Sequence, residues 1–217
     1  MRALLPWAIV LNATWVLQAQ VPPPPPPPAN DYFPNKWDEY PKTGPFRIRF
    51  PKEPQERTAP QGNLEIHYLE YKGLLRYSLS YVDYQTSLED PQKLNDILQG
   101  LKGITLKSVQ NMDHRLVTER EVNLDNHHGL FVQIEVQAKE VIRLEWLVVG
   151  SRLYTISTLS RKATEQEFKG KDDYEEIALA FINSFRLVSA SAAKPNKSLD
   201  ASGGSGFRIM TDPAMLE

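Results

Sequence analysis

The chain has 217 residues, 41% of them hydrophobic, and its 25 basic and 27 acidic side chains leave a formal charge of −2. That balance gives no electrostatic reason to expect nucleic acid or an anionic membrane surface as partner. Cysteine is absent, which excludes disulfides, thiolate metal sites, a cysteine nucleophile and a lipid-modified cysteine behind a leader.

In chain order, Arg2 supplies one positive charge and Ala3 to Leu17 is mostly apolar, interrupted by Asn12 and Thr14. A run of about 15 residues is short for a membrane-spanning helix, which needs about 20. It fits the core of a secretory signal peptide over 1–19, with Ala19 as the small residue before cleavage. The alternative is an uncleaved anchor of the same topology. Pro22 to Pro28 follow without interruption. Proline fixes φ and lacks the amide donor, so a polyproline II spacer is expected within a linker over 20–44. Such a run is also a ligand type for aromatic-lined grooves. Tyr32, Phe33, Trp37 and Tyr40 are expected to strap the linker onto the domain surface.

Alternation of apolar and polar residues predicts strands over 46–50, 64–71 and 74–84, the last two joined by a two-residue turn at Lys72-Gly73. Asp90 and Pro91 read as N-cap and first residue of a helix. Its apolar face carries Leu94, Ile97, Leu98, Leu101, Thr105, Ser108 and Met112. Gly100 and Gly103 mark either close packing or the helix end. A strand over 116–124 then sets Leu116, Val122 and Leu124 against Glu119 and Glu121. A turn is predicted at Asp125-Asn126-His127-His128-Gly129. Strands over 130–138, 141–149 and 153–159 follow, with a tight turn at Gly150-Ser151. Tyr174, Ile177, Ala178, Phe181 and Ile182 form the stripe of a last helix, with acidic residues in its first turns. The fold class expected is α+β: one domain over 45–188, an antiparallel meander sheet covered by two main helices. The Ser-, Ala- and Gly-rich stretch 189–217 is expected to be a flexible tail, with a small apolar island at Phe207 to Met210.

Four sequence blocks carry a resemblance. Phe46-Arg47-Ile48-Arg49-Phe50-Pro51 leads into a hairpin and helix. Gly129-Leu130-Phe131-Val132, Gly150-Ser151-Arg152-Leu153-Tyr154 and Phe181-Ile182-Asn183-Ser184-Phe185-Arg186 mark the meander and the end. This order resembles the PsbP-like/DcrB-like α/β/α sandwich superfamily, and exported bacterial proteins of that shape in particular. The resemblance implies a binding or assembly module without shared catalytic residues.

Four groups are candidates for chemistry. The tyrosines Tyr68, Tyr77, Tyr81 and Tyr84, with Trp37 and Tyr40, offer apolar area plus hydrogen bonds and are the preferred binding surface. His127 and His128 with Asp125 could hold zinc, but adjacent histidines in a strand point to opposite faces. His114 beside Asp113 could form an acid–base pair. Glu119, Glu121, Glu135 and Glu145, read as outward-facing, could supply paired carboxylates. No cofactor motif is present: Gly203-Gly204-Ser205-Gly206 lacks the lysine and helix of a phosphate loop. The leading expectation is a non-enzymatic, exported module of the bacterial envelope, periplasmic or secreted, with a protein partner, no nucleic acid, and no stable membrane insertion once the signal is cleaved. The alternative is a hydrolase using carboxylates or histidine; a pocket gathering His114, His127 or His128 with carboxylates would favour it.

Overall fold

The structure is a computed structural model that describes residues 34–73, 75–137, 140–161 and 173–188. The signal peptide over 1–19, the proline run and the tail over 189–217 lie outside the described residues.

Among the described residues, seven antiparallel strands form the main sheet in the order β3-β4-β5-β9-β8-β7-β6. They are β3 (Gln55–Gln61), β4 (Leu64–Lys72), β5 (Arg76–Asp83), β6 (His114–Leu124), β7 (His127–Val136), β8 (Glu140–Val149) and β9 (Arg152–Arg161). The sheet is two meanders joined where β5 pairs β9. Helix α1 (Pro91–Ser108) connects β5 near the centre to β6 at the far edge. A second sheet of three strands has β2 (Phe46–Phe50) between β1 (Asp38–Tyr40) and β10 (Arg186–Leu187).

The main sheet is apolar on both faces. One face buries Leu94, Leu98 and Leu101 of α1 against Val132, Ile134, Leu144, Trp146 and Val148. The other buries Ile177, Ala178, Phe181 and Ile182 of α2 (Asp173–Asn183), with Phe46, Ile48 and Phe50, against Leu79, Phe131, Leu147 and Ile156. One helix therefore lies on each face, and α2 shares its face with the three-stranded sheet. The expected meander sheet covered by two main helices left out this small sheet, whose central strand is the initial strand 46–50.

Local chemistry explains the elements. Asp90 accepts the amides of Gln92 and Lys93 and caps α1 as expected. Gly100 and Gly103 neither end the helix nor mark a close approach, since a Cβ at either would meet nothing within 4 Å. Asp125 and Asn126 have φ of 51° and 67°. This is the pair of left-handed residues that a two-residue hairpin turn needs, and it makes His127 and His128 strand residues of β7 rather than part of the turn. The turn between β4 and β5 is longer than predicted, because Lys72 pairs with Arg76 and Leu75 is buried.

Three features depart from the sequence pattern. β3 is polar and largely exposed, an edge strand that holds Pro60 and shows no apolar alternation. β1 and Trp37 lie within the segment read as linker over 20–44, yet Trp37 is only 5% exposed and Asp38 to Tyr40 pair with β2. From Pro34 onward this segment belongs to the fold. Finally, the register of β6 slips between Leu116 and Thr118. A bulge reverses the phase of the strand. Leu116 therefore opposes Ile134 on the α1 face together with Glu119 and Glu121, while Val122 and Leu124 lie on the α2 face.

Candidate functional site

The six aromatics of the expected binding surface do not gather. Tyr68 and Tyr84 pack on the α1 face, whereas Trp37, Tyr40, Tyr77 and Tyr81 pack on the α2 face. Trp37, Tyr68 and Tyr77 are buried. Trp37 meets Tyr77 edge-on at 5.5 Å, and Tyr77 meets Phe181 at 5.1 Å, so these rings are core. Strand alternation and register separate Tyr68, which lies opposite Ser80, from Tyr77 and Tyr81.

The carboxylates also separate. Glu119 pairs with Lys102 on the α1 face at 2.8 Å. Glu135 pairs with Arg115 at 2.8 Å. Glu145 is not outward: it is 6% exposed, on the α2 face between Phe131 and Ile156. Burial raises its carboxyl to about 7, against the smaller opposing effect of Arg120. Arg143, two residues earlier on the same face, is buried too and donates to Gln133 and to Ser160, each at 3.1 Å. His114 Nδ1 lies 3.0 Å from the Met112 carbonyl, and the Asp113 carbonyl accepts the amide of Gln137. No group of three metal-ligating side chains occurs among the described residues.

One histidine does enter a concave site. A cleft of 510 Å³ opens on the α2 face at the end of the main sheet. Tyr154 and Val149 make its floor with His127; the Asp125-Asn126 turn makes one rim. Pro45, Leu187 and Val188 of the small sheet make the opposite wall. Phe46 holds that wall, its ring packed edge-on to Tyr154 at 5.4 Å and to Tyr81 at 5.5 Å. Gly129 lets β7 approach β8 at the inner end, since a Cβ there would collide with the Trp146 carbonyl.

Polar groups contact two of the lining residues, His127 and Tyr154. Glu89, just ahead of α1, accepts the Gly150 amide at 2.8 Å and faces His127 Nδ1 at 3.0 Å with the same oxygen. Those bonds, the Gly150 amide first, hold the Glu89 carboxyl below its ordinary range. Arg152 grips Asp83 through two bonds of 2.6 and 2.7 Å and donates to the Tyr154 hydroxyl at 3.4 Å. Its guanidinium also lies 4.6 Å over Tyr81, on which His67 stacks at 4.7 Å. Burial raises the Tyr154 hydroxyl, with Arg152 opposing. The sequence pointed to Asp125 and His127 for metal binding and to Tyr81 as an aromatic. Tyr154 and Arg152 entered it only within a hairpin motif, and Glu89 not at all.

No protein-family model matches the chain, and no curated protein matches it. Among solved structures the chain is similar to the cyanobacterial PsbP (CyanoP) of Synechocystis sp. PCC 6803, at 9% identity and a TM-score of 0.47, covering 70% of this chain and 92% of that one. It is also similar to the extracellular domain of PknH from Mycobacterium tuberculosis, at 10% identity and a TM-score of 0.26, covering 55% of this chain and 62% of that one. A third structure, from Bacteroides thetaiotaomicron VPI-5482, has 11% identity and a TM-score of 0.26, with 67% and 46% covered. Ligand and activity rest on the residues of this chain alone.

Proposed function

We propose that this chain is a non-enzymatic binding module, exported to the bacterial envelope, that takes an apolar peptide segment in the cleft over Tyr154. The supporting observation is the mixed lining: Val149, Tyr154, Pro45, Leu187 and Val188 supply its apolar part, and Asp125, Asn126 and His127 its polar part. Ligand sites combine those two ingredients at about 300–1,000 Å³. Export rests on the signal-like N-terminus. Among the described residues no helix is long and apolar enough to cross a membrane.

A hydrolase is the second reading, and one observation favours it. The cleft gathers His127 with Asp125, and His127 Nδ1 faces Glu89. A histidine oriented by a carboxylate is the usual arrangement of a general base. Against this, the same Glu89 oxygen takes the Gly150 amide, so the pair clamps the end of the β6–β7 hairpin to that of β8–β9.

A library of linear heptapeptides panned against the full chain tests the proposal, with the Val188→Lys variant as counter-screen. Enriched peptides rich in apolar residues, binding the variant at least tenfold more weakly, are the expected result. Enrichment indifferent to Val188→Lys would overturn the peptide site. Ester hydrolysis that His127→Ala abolishes and Val188→Lys leaves intact would transfer the assignment to the hydrolase.

A further inference from the structure

The strongest candidate for the cleft's occupant belongs to the same chain. Val188, the last described residue, is part of the cleft wall, and its amide donates to the Pro45 carbonyl at 2.8 Å. The described residues therefore end at the cleft itself. Residues 189–206 are mostly Ser, Ala, Lys, Asn and Gly, and then come Phe207-Arg208-Ile209-Met210, three apolar side chains around one cation.

We propose that Phe207–Met210 seats in the cleft as an intramolecular ligand, an assignment that rests on the cleft being a peptide site. In an extended segment alternate side chains point to opposite sides. Phe207 and Ile209 together turn toward Val149, Tyr154 and Leu187. Arg208 turns to the rim, where Asp125 is exposed and has no ion pair among the described residues. The neighbouring carboxylates are already engaged, Glu89 by His127 and Gly150, and Asp83 by Arg152. Among the described residues, Asp125 is thus the carboxylate left for a cation arriving at this rim.

Reach is no obstacle. Residues 189–206 extend to about 60 Å at ~3.3 Å each, from an anchor on the cleft wall. A segment tethered that closely acts at an effective concentration in the millimolar range. At micromolar protein the chain's own tail therefore outcompetes the tail of a second copy. The consequence is self-occupancy: an external peptide must displace Phe207–Met210, and its apparent affinity falls by the fraction of chains whose cleft is open.

Photo-crosslinking tests this in the full chain at low micromolar concentration, with p-benzoylphenylalanine replacing Phe207. The expected product is a crosslink within one chain to Val149, Tyr154, Leu187 or Val188. The Phe207→Asp/Ile209→Asp variant, altered outside the described residues, is expected to shift the backbone amide resonances of Asp125, Asn126, His127 and Val149. A synthetic peptide of residues 203–212 should return them, and the variant should bind library-selected peptides about tenfold more tightly. Crosslinks elsewhere, crosslinks only between chains, or cleft amides unmoved by the double variant would each overturn the proposal. If selected peptides still bind in a manner sensitive to Val188→Lys, only the tail falls and the peptide site stands.

Discussion

Glu145 is held where a carboxylate is poorly solvated. Its cross-strand neighbours are Phe131 and Ile156, and Arg143 on the same face spends its bonds on Gln133 and Ser160. Arg120, the cation that opposes the shift, lies 4.5 Å over the Phe131 ring. Burial therefore dominates, and the folded-state value is about 7 against 4.5 for the free side chain. Between those values the folded state binds more protons than the unfolded one. Stability consequently falls as pH rises through this window, and the whole penalty is present above about 7. Such a shift corresponds to something on the order of 3 kcal/mol. Glu145→Gln removes the titrating group, so thermal melts should show the variant more stable than the parent at pH 8 and equal to it at pH 4. A variant that tracks the parent at both values would show that Glu145 is better solvated than its burial implies.

At the scale of elements, the β6–β7 hairpin sets the position of the cleft. Its turn needs two left-handed residues, and Asp125-Asn126 supplies them; its inner end needs a residue without Cβ, and Gly129 supplies it. Gly129→Ala must push β7 from the β8 backbone, an overpacking that costs about 1–3 kcal/mol. Denaturant unfolding should register that loss, and the cleft should bind selected peptides more weakly because His127 moves with the strand. Asp90→Ala is the contrasting case: it removes the α1 cap, costs about 1 kcal/mol, and should leave cleft affinity unchanged. These elements were legible because their chemistry is local. The bulge in β6 was not, because a slip of one residue in an alternating strand leaves composition intact and reverses its faces. β3 was invisible for a related reason: an exposed edge strand such as Gln-Glu-Arg-Thr-Ala-Pro-Gln has no apolar face to alternate.

At the scale of the molecule, cover on both faces of the main sheet explains what composition misjudged. Residues opposite the α1 core, Arg143 and Glu145 among them, look solvent-facing when the sheet is read with one buried side; α2 and the small sheet bury that side too. The cleft joins positions 45, 125–127, 149, 154 and 187–188, which no local pattern connects. The small sheet depends on the segment before residue 45. Trp37 packs on Tyr77, Tyr77 on Phe181 of α2, and Tyr40 on Phe50 at 6.3 Å. Glu39 bonds Arg186 of β10 at 2.7 Å across the same sheet. Residues 34–44 therefore brace the wall that carries Pro45 and Leu187. Trp37→Ala, a large-to-small change in this core, should cost about 3–5 kcal/mol. A chain starting at residue 45 loses Trp37 and β1 together, and should melt at a much lower temperature than the parent and no longer bind peptide at the cleft. Equal midpoints for this truncation and the parent, measured by circular dichroism, would mean that the segment decorates the fold without supporting it.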